Sequence, residues 1–204
     1  MRAPAVVLAI VPSALVAVVQ PLGAQMTHPP GMSHQQVVQA ASAGGPPSIS
    51  QSATIGWIDS AGTMSVMRPG TNGFTCVLVV PDPIGGPVCG DANAAGWLMA
   101  FLTGQAAPPP QSGPGIAYMA RGGSHYEDAQ GNIMMEHDRS PHAAGSRRVT
   151  EGPHWMLIYP MDPASSGLPV KENGTGVYIM YAGTPWAHVM IYQDPNQLAA
   201  PIRR

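Results

Sequence analysis

Charge is the scarcest commodity in this 204-residue sequence: only 10% of residues are charged, the formal net charge is −2, and Lys171 is the sole lysine. A chain this poor in cations offers no basic stripe for phosphate contacts, which excludes nucleic acid as a partner class. An anionic membrane surface is equally unsupported. Nucleotide signatures are missing too, with no G-x-x-x-x-G-K-[ST] and no strand–GxGxxG–helix unit. Cysteine is limited to Cys76 and Cys89. Two cysteines with no second close pair do not make a thiolate metal site, and in an exported chain they point to a disulfide. The segment between them contains Pro81, Asp82, Pro83, Gly85, Gly86 and Pro87, enough turn chemistry to fold back on itself. Closing such a loop contributes about 3 kcal/mol in the chain-entropy model.

What the sequence has in abundance is turn formers and short apolar runs. Its 24 glycines and 23 prolines call for many turns and a loop-rich, β-leaning fold. At the N-terminus, Arg2 precedes a nearly uninterrupted apolar run to Val19, followed by Pro21-Leu22-Gly23-Ala24. This is the layout of a secretory signal peptide over residues 1–24, and the run, with Pro4 and Pro12 in it, is short for a membrane span. No cysteine follows the cleavage point, which argues against a lipid anchor. The expected location is therefore periplasmic or secreted, with no membrane attachment after cleavage. Residues 25–52 are rich in Gln, Pro, Ser, Gly and Ala. We read them mostly as a flexible low-complexity leader, with room for a short helix near Gln35 to Ala41. Residues 53–198 form the single expected globular domain.

The coarse pattern predicts an α+β domain, mainly antiparallel sheet, with one helix packed on a face and long Gly/Pro-rich loops. Ala53 to Asp59 and Thr63 to Arg68 read as a hairpin. Asp91 to Thr103 is the best helix, with Asp91 as cap, Ala94, Trp97, Leu98, Phe101 and Leu102 on one face, and Gly104 as terminator. A strand follows at 115–121, and three more at 154–159, 177–182 and 188–193. Residues 122–152 carry much of the chain's charge together with His125, His137 and His142, and read as a long loop that folds over the end of the sheet.

The clearest chemical lead is a repeat near the C-terminus. Pro153-His154-Trp155-Met156 and Ala187-His188-Val189-Met190 each set a histidine two residues before a methionine, at the head of a run that ends in Asp-Pro. In a strand, residues two apart share a face, so each imidazole points to the same side as its thioether. If the last three strands form a meander, His154 and His188 start at the same end of the sheet, about 9–10 Å apart across the middle strand. Imidazoles with thioethers suit copper(I); imidazoles with the carboxylate of Glu136 or Asp138, beside His137, suit zinc or copper(II). The candidate metal residues are thus His154, His188, Met156, Met190, His137 and Glu136. Methionine is also a common core filler, and the repeat is equally open to a packing reading.

Several blocks taken together resemble a group of exported bacterial proteins of uncharacterised function: Gly70-Thr-Asn-Gly-Phe-Thr-Cys76, Gly152-Pro-His-Trp-Met156 and Gly183-Thr-Pro-Trp-Ala-His-Val-Met190 among them. The resemblance spans residues 53 to 192. It implies export and the extent of the domain, and no catalytic residue.

Three function classes follow. A metal-binding protein using the paired His-x-Met motifs is the leading expectation. A small-molecule enzyme is the second, with His154 or His188 as general acid or base. Gly122-Gly123-Ser124-His125 does not help that case, because it lacks the G-x-S-x-G elbow. The third is a ligand- or partner-binding module in which Trp57, Trp97, Trp155 and Trp186 line a pocket.

Overall fold

The computed structural model describes residues 28–82, 84–135, 145–159 and 161–198. The expected signal segment lies outside them. In chain order the elements are α1 (His34–Ser42), α2 (Pro47–Ser50), β1 (Thr54–Ile58), β2 (Met64–Arg68), β3 (Thr75–Val79), β4 (Val88–Gly90) and α3 (Ala92–Leu102). They continue with β5 (Gly115–Met119), β6 (Gly123–Glu127), β7 (Ile133–Met134), β8 (Arg147–Glu151), β9 (His154–Ile158), α4 (Pro163–Ser166), β10 (Val177–Met180) and β11 (His188–Ile191). Eight strands form one mixed sheet in the order β10-β11-β9-β5-β4-β3-β1-β2, and β7-β6-β8 form a small antiparallel one. The fold is α+β and dominated by sheet, as the turn-rich composition predicts. Among the described strands only β1 and β3 pair in parallel. Among the described residues no helix is long and apolar enough to cross a membrane.

Two helices cover opposite faces of the large sheet. On α3, Ala94, Trp97, Leu98, Phe101 and Leu102 are all buried, and they pack on the face that carries Val77, Val88, Ala117, Met156 and Met190. Asp91 both caps this helix and ties it to the sheet: Oδ1 accepts from Ala94 N at 2.8 Å and Oδ2 from Ile116 N at 3.0 Å. The helix lies so close that a Cβ on Gly115 would sit 2.9 Å from the Ala94 side chain. Only glycine allows that approach.

The other face is covered by α1. Ser33 and Gln36 form a reciprocal capping box. Val37 and Ala41 are fully buried, against Trp57 and Met67 in one cluster and against Ile55, Cys76 and Cys89 in another. The segment read as a flexible leader is therefore ordered and packed from the start of α1 onward. Its few apolar residues recur at helical spacing and fill a sheet face that would otherwise be exposed. Beneath it, Cys76 and Cys89 sit directly opposite each other on β3 and β4 and are joined as a disulfide. Chain passes over this bridge at Gly45, where a Cβ would lie 2.8 Å from the Cys89 sulfur.

Two further expectations are corrected. Residues 122–152 are not one loop: β6, β7 and β8 lie within them. The last three strands are not a meander either. From β9 the chain runs through residues 159–176 to the sheet edge as β10, then turns tightly at 181–187 and returns as β11 between β10 and β9. A connection that long lets a strand skip a position, whereas a short turn forces neighbours to pair.

Candidate functional site

The strand order decides where the repeated motifs meet. On β9 and β11, Met156 lies directly opposite Met190. Two identical H-x-M segments paired antiparallel with their methionines in register throw their histidines to opposite ends. His154 and His188 thus stand about 13 Å apart along the strands rather than side by side. Each histidine has a second methionine directly opposite: Met119 on β5 faces His154, and Met180 on β10 faces His188. The outcome is a diagonal stripe of two imidazoles and four thioethers across four strands. All six side chains are buried, on the face that α3 covers.

Both imidazoles are held in the same way. Nδ1 of His154 lies 2.8 Å from the Gly152 carbonyl oxygen, and Nδ1 of His188 lies 2.8 Å from that of Trp186. A carbonyl oxygen only accepts, so Nδ1 carries the proton in each ring and, in the neutral imidazole, Nε2 presents its lone pair. The peptide two residues upstream fixes the tautomer both times. Burial lowers the pKa of His188 to about 4, against the upward pull of the Trp186 carbonyl. Burial likewise lowers that of His154, against the pull of Glu151 and the Gly152 carbonyl. Both rings are neutral at pH 7. Among the described residues, His154 Nε2 is the one buried side-chain nitrogen or oxygen with no hydrogen-bond partner. A neutral lone pair left unsatisfied in the interior is costly and calls for an occupant.

Beside this stripe lies a small cavity of about 40 Å³, lined by His154, His188, Met119, Met156, Met180 and Met190 together with Trp97, Phe101 and Glu151. Small-molecule sites run to about 300–1,000 Å³, so this one has room for an ion or a little water and not for an organic substrate. Trp97 stands edge-on to the His188 ring, with centroids 5.0 Å apart.

At the His154 end, the rim of the cavity is a buried polar cluster. Glu151 Oε1 accepts from His125 Nδ1 at 2.9 Å, from Tyr192 OH at 2.8 Å and from Tyr178 OH at 3.3 Å. The other nitrogen of His125 meets Glu127 at 3.3 Å, and Glu127 meets Arg147 at 2.7 Å. Burial disfavours the charged form of His125, but Glu151 and then Glu127 outweigh it and raise its pKa. For Glu151, burial pushes up, while the hydrogen bond from His125 and the neighbouring imidazoles push further down, so the carboxyl stays ionised. Tyr178 and Tyr192 are raised, mainly by burial and then by the Glu151 charge. With both ring nitrogens engaged by carboxylates, His125 is a structural cation rather than a free acid or base. Ser124 also borders the cavity, and its hydroxyl accepts from Arg148 Nε at 2.8 Å.

Of the residues singled out from sequence, His154, Met156, His188 and Met190 share one buried face. Glu136 and His137 lie outside the described residues. Among the described residues, no three or more of His, Cys, Asp and Glu are grouped so as to hold a metal. The sequence reading missed Met119 and Met180, each the last residue of an apolar strand, because only strand pairing reveals what stands opposite a residue. It also missed Glu151 as a hub, since its charge marked it for the surface. Trp97 and Trp186 pack edge-on in the core, with centroids 5.2 Å apart. Tyr181 is the one described non-glycine residue with a positive φ, 53°. That conformation costs about 1–2 kcal/mol and marks a place where tertiary structure overrides local preference. Comparison with known proteins adds nothing to this picture: no family model, no curated protein and no solved structure matches the chain.

Proposed function

We propose that this is an exported, periplasmic or secreted, copper(I)-binding protein that holds one ion at the His154 end of the stripe. The ligands are His154 Nε2 and thioethers drawn from Met119, Met156 and Met190. The observation that carries this reading is the orphaned Nε2 of His154 beside a wall of methionines. Thioethers and neutral imidazole are the donor set that selects copper(I). Zinc asks for three or four His, Cys or carboxylate ligands, which supports the softer metal here. The bond from His154 Nδ1–H to the Gly152 carbonyl also fits, because metal-binding histidines generally donate their other N–H to a carbonyl or carboxylate. Glu151 at the cavity rim contributes negative charge near the ion. The disulfide between Cys76 and Cys89 supports an oxidising compartment, in line with the expected signal segment.

The test is an anaerobic copper(I) titration of the untagged protein against a chromogenic chelator. Stoichiometric binding is expected in the wild type. His154→Ala should lose at least about tenfold in affinity, and Met156→Leu with Met190→Leu should lose a similar amount while the fold is kept, since leucine approximates the volume of methionine without its sulfur. A wild type that leaves all copper with the chelator refutes the proposal and returns the stripe to core packing. An enzyme using His154 as base is disfavoured by the volume of the cavity.

A further inference from the structure

The strand register gives the buried stripe a local twofold axis. It passes between Met156 and Met190, which face each other on antiparallel β9 and β11. A half-turn about it carries β9 onto β11 and β5 onto β10. In one half Met119 faces His154 and Ala117 faces Met156. In the other Met180 faces His188 and Tyr178 faces Met190. The backbone setting repeats as well: each imidazole donates Nδ1–H to the carbonyl two residues upstream, Gly152 in one half and Trp186 in the other. The halves differ in their walls. His154 has the Tyr192 ring at 5.6 Å and Glu151 nearby, which among the described residues is the one carboxylate lining the cavity. His188 has the indole of Trp97 at 5.0 Å instead. The copper(I) reading uses the His154 half and leaves its counterpart, His188 with Met180, without a role.

We propose that the His188 half is a second soft-metal site, which takes its own copper(I) ion on His188 Nε2 and the thioethers of Met180 and Met190. The choice of metal rests on the copper reading above; the site itself rests on the strand register. With Nδ1 holding the proton, Nε2 is the donor atom of the neutral ring, and His188 borders the cavity together with both methionines. Side chains directly opposite in an antiparallel pair have Cβ atoms about 4.5–5.5 Å apart, which brings Met180 to His188. Met190, two residues along the same strand, shares the face. Three soft donors therefore converge from two adjacent strands. With Met190 assigned here, His154 keeps Met119 and Met156, an identical donor set. The cavity of about 40 Å³ has room for both ions, since a water-sized occupant needs about 10–15 Å³. The halves fill in order. Glu151 favours the His154 end, and positive charge at His154 disfavours positive charge at His188, so the first ion opposes the second. Outer-shell partners are worth about 10–100-fold in metal affinity, and the His188 step should be weaker by about that factor.

The test is an anaerobic NMR titration of the untagged protein, carrying isotope-labelled methionine methyl groups, with copper(I) added as its acetonitrile complex. Copper(I) is diamagnetic, so each methyl resonance reports on its own sulfur. The first equivalent should shift Met119 and the second Met180. Met67, buried beneath α1 on the opposite face, is the internal control and should not move. His188→Leu and Met180→Leu should each weaken the second step at least about tenfold and leave the first unchanged. His154→Ala should abolish the Met119 shift and keep the one at Met180. Thermal unfolding checks the fold of each variant, and if His188→Leu does not fold, Met180→Leu carries the test, because leucine approximates the volume of methionine. Saturation at one equivalent with Met180 unmoved overturns the second site and leaves the His154 reading standing. One equivalent that moves Met180 and not Met119 upholds the His188 site and overturns the other. A wild type that binds no copper(I) overturns both.

Discussion

Acid should destabilise this protein through His188, and the size of the effect can be worked out. The ring is 2% exposed, with Trp97 and Tyr181 against it and its Nδ1–H on the Trp186 carbonyl. Burial lowers its pKa to about 4 in the folded state, whereas in the unfolded chain it returns to about 6.5. The folded-state value is depressed, so the unfolded state binds the extra proton first. The stability tied to the neutral ring is complete above the unfolded pKa and drains away as pH falls toward the folded one. Between about pH 7.5 and about pH 4.5 this amounts to about 2.5 kcal/mol. Other groups bear on the same range: Glu151 and His154, whose charges act on His188, and His125, whose raised pKa works in the opposite direction. They are retained in a His188→Leu variant, so the comparison isolates the ring. Urea unfolding at the two pH values is the assay. The variant should start about 1 kcal/mol less stable at neutral pH for want of the hydrogen bond to Trp186. It should then lose about 2.5 kcal/mol less than the wild type on acidification, so that the two curves cross. Parallel pH dependences in the two proteins would refute the assignment of a buried neutral imidazole.

Two further outcomes test the scaffold around the site. Glu151→Ala leaves the raised imidazole of His125 with Glu127 alone and strips the acceptor from Tyr178 and Tyr192; denaturant titration should show a loss of about 3–5 kcal/mol, and Glu151→Gln, which keeps an acceptor oxygen, a smaller one. A chain starting at Gln51 lacks α1, which uncovers Trp57 and Met67; loss of the Val37 side chain alone removes about 1.5–3 kcal/mol, and calorimetry should find a markedly lower Tm, whereas an unchanged transition would mean that α1 is dispensable.

Local signals carried much of the architecture. Helix α3 is announced by an aspartate cap, an apolar face at helical spacing and a following glycine, all of which act within a few residues. The β1–β2 hairpin is announced by Asp59, whose carboxylate closes the turn by accepting from Ala61 N and Thr63 N at 2.9 and 2.8 Å. Helix α1 was legible too, as the short helix allowed near Gln35 to Ala41, and Ser33-His34-Gln35-Gln36 has a capping-box spacing; its packing on the sheet was not, because the surrounding composition is that of a linker. The charged stretch from 122 to 152 hid β6 and β8 because its ionic side chains pair with one another across those strands, Glu127 with Arg147, instead of facing water alone.

The candidate site divides along the same line. Alternation along a strand was enough to put His154 with Met156, and His188 with Met190, on common faces, since a strand's period of two is a property of the backbone. Which strands are neighbours is not. The passage through residues 159–176 let β10 take the sheet edge and sent β11 back beside β9, and this single choice set Met156 against Met190, parted the histidines, and brought in Met119 and Met180. Strand order is settled by which arrangement buries the most apolar face beneath α3, a sum over the whole molecule that no short segment encodes. The orphaned nitrogen of His154 exists only as a consequence of that packing.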